Sequence, residues 1–236
     1  MGRGIFITGT GTGVGKTIVA AGLALALKER GMKVGVMKPI ATGCIGDGDT
    51  LISTDAVYLF EAAENEYPPL TSPYRFRNPV APSVAQVYEQ REISTEAILK
   101  AYQKLSSLYD FVIVEGIGGI MVPIKKKYFV ANLVREMELP ILIVSHIGLG
   151  SINHTLLTVD SAMIRGLQIR GIIFNRAPIV NFSLAELTNP KVINELTGLP
   201  ILGTLPELDD VNVDQFRYGR LLEIFKDRIN FDQILK

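Results

Sequence analysis

A glycine-rich segment that ends in a lysine and a threonine is the clearest chemical signal in this sequence. Residues 9–17 read GTGTGVGKT and stand between a short apolar run and a helical pattern. Glycines let the backbone approach an anion closely, and the amides of a helix N-terminus attract negative charge. The lysine can reach the outer phosphates of a nucleotide, and the threonine hydroxyl can bind Mg²⁺. The segment therefore predicts ATP bound with Mg²⁺. The residues expected to hold them are Gly13, Val14, Gly15, Lys16 and Thr17.

This loop is one residue longer than the common phosphate-binding pattern. The pattern would have glycine at position 10, where this chain has Thr10, and Gly9 stands one residue earlier. The apolar run, the lysine–threonine pair and the helical pattern still follow in their usual order, so we expect the loop to bind phosphate.

Further polar residues fall where they could meet this loop. Lys38 follows a second apolar run, in MKPIATG, and Glu115 closes a third, in FVIVEGIGGIMVP. Because ligands of open α/β sheets bind outside the carboxyl ends of the strands, we expect both residues at the edge that carries the loop. Lys38 would then reach the transferring phosphoryl group, with the Thr42 hydroxyl in the same region, and Glu115 would bind Mg²⁺. Asp55, at a helix start in ISTDAV, is equally well explained by the helix dipole.

Two other glycine-bearing turns could approach a ligand. Gly116 and Gly118 follow Glu115 and leave room for close backbone contact. Gly150, Ser151 and Asn153 lead into a second helical pattern, whose N-terminus could hold a carboxylate. Spacing alone favours an ordinary loop and helix cap at this second turn.

Composition excludes several classes of protein. Lys and Arg together number 24, as do Asp and Glu, so a net charge of zero argues against nucleic acid or an anionic membrane as a partner. The one cysteine, Cys44, allows no intrachain disulfide and no thiolate metal site. No apolar run is long enough for a signal peptide or a membrane span. We therefore expect a soluble, cytoplasmic protein.

The order of apolar and helical patterns predicts an α/β fold. Continuous apolar strands separated by helices indicate a mainly parallel, doubly wound sheet flanked by helices, formed by residues 1–236 as a single domain. Strands are predicted at residues 4–8, 33–38, 111–114, 141–145, 167–175 and 201–205. Helices are predicted at residues 16–30, 55–63, 94–108, 129–138 and 151–165. The proline-rich stretch 67–82 is expected to be an ordered excursion and not a domain boundary.

Seven motifs in order resemble the dethiobiotin synthetase family of biotin biosynthesis. They are FITGTGTGVGKT (6–17), MKPIATG (37–43), STDA (53–56), NPVAPSVA (78–85), VIVEGIGG (112–119), LGSINHTLLT (149–158) and GIIFNR (171–176). The resemblance implies a P-loop NTPase fold in a homodimer with the active site near the interface. It also implies an ATP-dependent ligase that joins carbon dioxide to diaminopelargonic acid. The carbamate is phosphorylated to a carbamic–phosphoric anhydride, and the second amine closes the ring of dethiobiotin.

The resemblance also assigns roles to residues. The catalytic residues would be Thr12, Lys16 and Lys38. Thr17, Asp55 and Glu115 would hold Mg²⁺, and Thr42 would contact the substrate. Gly150, Ser151 and Asn153 would receive the substrate carboxylate from the other subunit. The nucleotide would further contact Gly116, Gly118, Asn175, Arg176, Pro206, Glu207 and Leu208, with Asn175 reading adenine and the last three lining the base pocket.

This chain departs from the family pattern in several places. Gly11 and Gly13 stand where many members have acidic residues, and Arg176 stands where aspartate is familiar. The acidic residue that contacts the ribose in the family would lie after Pro206 in this chain. Asp210 and Asp214 are both candidates, and the sequence does not distinguish between them.

Other readings share the same phosphate loop. A ParA/MinD-like ATPase switch is the main alternative, although such proteins carry an acidic segment where this chain has Lys38 and Pro39. An amide synthase of the cobyric acid type would need a glutaminase domain, for which the chain has no room. A regulatory domain without activity would not need to keep Lys16, Lys38, Asp55 and Glu115.

Overall fold

A computed structural model describes residues 4–46, 50–65, 68–177 and 181–235 of the chain. The strands are β1 Gly4–Gly9, β2 Val34–Met37, β3 Ile40–Thr42, β4 Tyr74–Phe76, β5 Phe111–Gly119, β6 Pro123–Lys125, β7 Tyr128–Phe129, β8 Ile141–His146, β9 Ile169–Ala177 and β10 Ile201–Pro206. The helices are α1 Lys16–Glu29, α2 Thr54–Ala63, α3 Pro68–Thr71, α4 Pro82–Tyr88, α5 Thr95–Leu108, α6 Val130–Met137, α7 Ser151–Ile164, α8 Leu184–Thr197 and α9 Leu221–Arg228, with a 3₁₀ turn at Phe231–Gln233.

Six of these strands form one sheet in the order β10-β9-β8-β1-β5-β2, and every neighbouring pair is parallel. Alternate side chains of a strand face opposite sides of the sheet, so a strand covered on both sides must be apolar throughout. In β1, Phe6 enters one apolar cluster with residues of α5 to α8, whereas Ile5 and Ile7 enter another with residues of α1, α2 and α9. The predicted parallel sheet with helices on both faces is therefore confirmed. Assignment of the whole chain to one domain stays a prediction.

Helix α1 fixes the end of the phosphate loop. Most of its side chains are buried, including Leu23 and Leu27, because it lies over the centre of the sheet between α2 and α9. Gly22 is needed at the contact with α9, since a Cβ there would lie 2.4 Å from the Phe225 ring. The helix ends before Gly31, which has a φ of 79° and acts as the predicted C-terminal glycine.

Several elements differ from the sequence prediction. Strand β5 continues to Gly119 beyond the predicted end at residue 114, and its pairing with β1 becomes irregular after Glu115. Helices α8 and α9 were not predicted. Helix α8 contains Pro190, which has no backbone N–H to donate. In the sequence such a proline is typical of a helix end, which is why this helix was missed. The excursion 67–82 contains α3 and β4 and is ordered where it is described, as expected, while Tyr67 lies outside the described residues.

Among the helices described, none combines the length and apolar character needed to cross a membrane.

Candidate functional site

The phosphate loop joins β1 to α1 and bends through two glycines in the left-handed region. Gly13 has a φ of 75° and Gly15, which caps α1, a φ of 92°. The Lys16 ammonium folds back over the loop and donates to the Gly11 carbonyl at 3.0 Å. Gly15 is required for a second reason, since a Cβ at this position would lie 1.8 Å from the Asn175 amide nitrogen. Asn175 in turn donates to the Val14 carbonyl at 3.0 Å, so β9 supports the loop from the side.

Lys38 is buried and lies at the centre of a charge cluster. Its ammonium donates to Asp55 Oδ2 at 2.7 Å and to Glu115 Oε1 at 2.6 Å, while Thr17 donates to the same Glu115 oxygen at 3.0 Å. Lys38 follows β2, Glu115 lies in β5 opposite Ile7 of β1, and Asp55 lies in the first turn of α2. The expectation that Lys38 and Glu115 share one edge of the sheet is therefore confirmed.

Asp55 does not cap its helix. The N-cap of α2 is Ser53, whose hydroxyl accepts from the Ala56 amide. The Asp55 carboxylate is thus free to face Lys38, which favours the functional explanation of this residue over the helix dipole alone.

Burial and neighbouring charges set the protonation of the cluster. Burial alone would lower the pKa of Lys38, but Glu115 and Asp55 outweigh it and hold the pKa above its ordinary value. Burial also opposes ionisation of Asp55, yet Lys38 keeps the pKa of that carboxyl below its usual range. Burial lowers the pKa of Lys16 to about 8, with Glu115 opposing the shift and Lys38 reinforcing it. Lys38 is therefore permanently charged. Lys16 is poorly solvated, and a bound anion would favour its charged form.

The cluster has the donor atoms that Mg²⁺ prefers. Mg²⁺ binds oxygen ligands and is commonly held by one or two carboxylates together with substrate phosphates. Glu115 is 1% exposed, and its Oε2 atom is buried without a hydrogen-bond partner among the described residues. Such an orphaned carboxylate oxygen is costly unless a cation or a donor meets it. Thr17, Asp55 and Glu115 therefore fit the predicted metal set.

Two adjoining cavities run along this edge of the sheet. The first has a volume of about 340 Å³ and is lined by Thr12, Gly13, Gly15, Lys16, Thr17, Ile18, Lys38, Thr42, Asp55, Glu115, Ile117, Gly118, Arg176 and Val213. The second measures about 290 Å³ and is lined by Ile18, Asn175, Arg176, Pro206, Glu207, Leu208, Val211, Asn212, Val213 and Asp214. Three residues belong to both linings, so the cavities form one groove, with the Lys38 cluster at one end of it.

Some predicted site residues lie outside these linings. Val14 is buried and contributes its carbonyl to Asn175. Gly116 is required by packing, because a Cβ there would lie 2.7 Å from the Phe6 ring. The turn with Gly150, Ser151 and Asn153 lines neither cavity of this chain.

Sequence reasoning found Pro206 and Leu208 but missed the other apolar members of the groove. Ile18, Ile117 and Val213 line the first cavity, and Val211 joins the second. The signal for the last two was the pair of valines inside the acidic segment ELDDVNVD after β10. The structure also distinguishes between Asp210 and Asp214, the two aspartates proposed to contact the ribose. Asp214 lines the second cavity, whereas the Asp210 carboxylate accepts from the Arg220 backbone amide at 2.9 Å.

Comparison with known proteins gives consistent sequence matches. A family model described as an AAA domain matches residues 3–215. The ATP-dependent dethiobiotin synthetase BioD of Thermodesulfovibrio yellowstonii is 41% identical over 223 residues, which cover 91% of this chain and 93% of that protein. The protein of the same name from Aquifex aeolicus is 43% identical, with 89% of this chain and 91% of the relative covered. That from Bacillus subtilis is 37% identical, with 99% and 97% covered.

Solved structures with a similar fold come from other kinds of protein. A ParA family ATPase from Chlorobium tepidum superimposes with a TM-score of 0.57 and 18% identity, covering 96% of this chain and 93% of the other. The septum site-determining protein MinD from Pyrococcus horikoshii, solved with Mg-ADP, gives a TM-score of 0.58 and 18% identity, with 95% and 93% covered. At such identity the likeness concerns the fold alone.

The double constraint on Gly15 gives a first prediction. Gly15→Ala places a Cβ against Asn175 at a positive φ, which costs on the order of 1–3 kcal/mol of backbone strain and displaces the loop. We expect affinity for Mg-ATP, measured by isothermal titration calorimetry, to fall by about tenfold or more. Gly11→Ala is the matched control, because no atom lies within 4 Å of a Cβ at that position. Equal affinities for the two variants would contradict the described loop geometry.

Proposed function

Because the chain belongs to the dethiobiotin synthetase family, we propose that its groove binds ATP and catalyses the ATP-dependent closure of dethiobiotin from diaminopelargonic acid and carbon dioxide. The single observation that carries this proposal is the Lys38 cluster beside the phosphate loop. The cluster supports the proposal because it would supply a permanent cation to the transferred phosphoryl group, together with two carboxylates and a hydroxyl suited to Mg²⁺. Phosphoryl transfer depends mainly on such positioning and charge stabilisation.

The nucleotide would lie along the two cavities. Its phosphates would meet the loop amides and Lys16, and its base would enter the second cavity, formed in part by Pro206, Glu207 and Leu208. Asn175 is 3% exposed at the end of β9 and lines that second cavity, which supports a contact with adenine. Arg176 borders both cavities and could approach the ribose or the phosphates.

The reaction needs stabilisation of negative charge more than a strong base. One amine of diaminopelargonic acid adds carbon dioxide to give a carbamate. A carbamate oxygen attacks the terminal phosphorus of ATP, and ADP leaves. The second amine then attacks the carbonyl carbon, releasing phosphate and closing the ring.

Lys38 and Lys16 would stabilise the charge that develops on the carbamate and phosphoryl oxygens, and Thr12 and Thr42 border the same cavity. Mg²⁺, held by Thr17, Asp55 and Glu115, would neutralise phosphate charge when it is bound.

A homodimer would bring the remaining predicted contact to the site. On α7 the exposed positions recur at helical spacing and include Leu157 at 60% and Ile164 at 81% exposure, and Leu184 on α8 is 75% exposed. Exposed apolar residues so grouped are typical of an interface. The turn with Gly150, Ser151 and Asn153 begins α7, so pairing through this face would present it to a partner. Asn189 holds that turn by donating to the Gly148 carbonyl and the Ser151 hydroxyl.

The ParA/MinD-like alternative is supported by fold alone. Lys38, which pairs with Asp55 and Glu115, could stabilise the negatively charged carbamic–phosphoric anhydride. An ATPase switch forms no such intermediate and does not require this lysine. The cytoplasmic location stays a prediction.

The proposed reaction is tested by measuring ADP and dethiobiotin release from the purified chain. With ATP, Mg²⁺, bicarbonate and diaminopelargonic acid together, we expect equal amounts of both products, and omission of any one should abolish them. Lys38→Ala should lower kcat about 10²- to 10³-fold, because a preorganised cation at the transferred group is lost. Lys100→Ala, a lysine with a side chain 72% exposed, is the matched control and should retain activity. ADP release that ignores diaminopelargonic acid would sink the substrate assignment and favour the ATPase switch.

The dimer proposal leads to a separate prediction. Leu157→Glu places a charge at an exposed apolar position of α7, so sedimentation should show monomers where the wild type forms dimers. The KM for diaminopelargonic acid should rise about tenfold or more, since a carboxylate held by charge-assisted hydrogen bonds would lose them, whereas ATP affinity should stay unchanged. Gln103→Glu, at an exposed position of α5, adds the same single charge away from this face and is the control. A wild-type monomer with full activity would refute the shared site.

A further inference from the structure

The residues that line the base end of the groove belong to one segment with its own internal structure. This segment, residues 207–220, is called the base loop. It follows β10 at one edge of the sheet and contributes Val211, Asn212, Val213 and Asp214 to the second cavity. Within it, Asn212 and Arg217 exchange backbone hydrogen bonds at 2.9 Å in both directions and form a small hairpin.

Two tyrosines connect this hairpin to a distant helix. Tyr58 of α2 donates its hydroxyl to the Arg217 carbonyl at 3.1 Å, and Tyr218 donates its hydroxyl to the Tyr58 carbonyl at 2.7 Å. Their rings stack with centroids 4.3 Å apart and an angle of 22° between planes. The Arg217 carbonyl therefore accepts both from Tyr58 and from the Asn212 amide, so one atom links α2 to a residue that lines the base cavity.

The connection spans the width of the nucleotide site. Helix α2 follows β2, the strand at the opposite edge of the sheet from β10, and α1 lies between α2 and α9. Ile18, in the first turn of α1, lines both cavities together with Val213 of the base loop, so the loop borders the groove beside the start of α1. Tyr58 is fully buried, and burial raises the pKa of Tyr218 to about 12, so its hydroxyl remains a donor at neutral pH.

We propose that Tyr58 and Tyr218 are positioning residues for nucleotide recognition, which fasten the base loop across α1 so that it faces the base of the bound nucleotide. The inference rests on the proposed nucleotide site. It assigns to the tyrosine pair a role that no motif in the sequence indicates. The hydrogen bonds of the pair join α2 to the base loop. Their loss should therefore weaken the binding of ligands that carry a base and leave phosphate binding unchanged.

The test compares two ligands by isothermal titration calorimetry, Mg-ATP and Mg-tripolyphosphate, which lacks the base and the ribose. Tyr58→Phe and Tyr218→Phe each keep the stacked ring and remove one hydrogen bond. Each should weaken ATP binding about three- to tenfold, as expected for loss of one buried hydrogen bond, and leave tripolyphosphate affinity unchanged. Tyr88→Phe, at a tyrosine that is 76% exposed, is the matched control and should change neither.

Other results overturn the inference in distinguishable ways. Equal weakening of both ligands would indicate a general loosening of the fold, and unchanged ATP affinity would indicate a tyrosine pair with no part in recognition. A second readout is the affinity ratio between ATP and CTP, which should move toward one in both variants. Wild-type protein that binds neither ATP nor tripolyphosphate would instead contradict the proposed function, and the inference would fall with it.

Discussion

The ion pairs of Lys38 with Glu115 and Asp55 are the constraint on which the rest of the site depends. Removing charges from water is costly, and the attraction within a buried ion pair offsets that cost only when its geometry is good. Here an ammonium with 6% side-chain exposure meets two carboxylates, one of them 1% exposed. The end of β2, the middle of β5 at Glu115 and the start of α2 must therefore converge on one point, which lies beside the phosphate loop.

The order of strands in the sheet sets the order of functions along the groove. The phosphate loop follows β1 in the interior of the sheet, the Lys38 cluster belongs to β5 and β2 on one side, and the base cavity belongs to β9 and β10 at the far side. A ligand laid along the carboxyl edge would thus meet the Lys38 charge cluster at one end and the second cavity, with its mixed polar and apolar lining, at the other. This arrangement matches the rule that open α/β sheets bind ligands at that edge.

Sequence reasoning reached the parts of this site that depend on local pattern. Glycine spacing indicated the phosphate loop, and the positions of Lys38 and Glu115 at the ends of apolar runs indicated a shared edge, because parallel strands align their ends. It could not distinguish Asp55 as a charge partner from Asp55 as a helix-dipole residue, since the difference is a contact with a residue 17 positions away. The role of Gly116 depends on the Phe6 ring in another strand, and the attachment of the base loop depends on Tyr58 in another helix. Such contacts depend on tertiary packing between distant segments and produce no periodic pattern in the sequence.

Glu115 pairs with Lys38 through one carboxylate oxygen and would also bind the Mg²⁺ that accompanies the nucleotide. The most direct measurement is the Kd of ATP for the wild type and for Glu115→Gln, each with Mg²⁺ and with a chelator, and with Glu89→Gln as control. With Mg²⁺ the variant should bind at least about tenfold more weakly, because a metal ligand is lost. With the chelator it should bind as tightly as the wild type or more tightly, since a negative charge beside the phosphates is removed. An equal loss of affinity under both conditions would contradict the account and reduce Glu115 to a structural partner of Lys38.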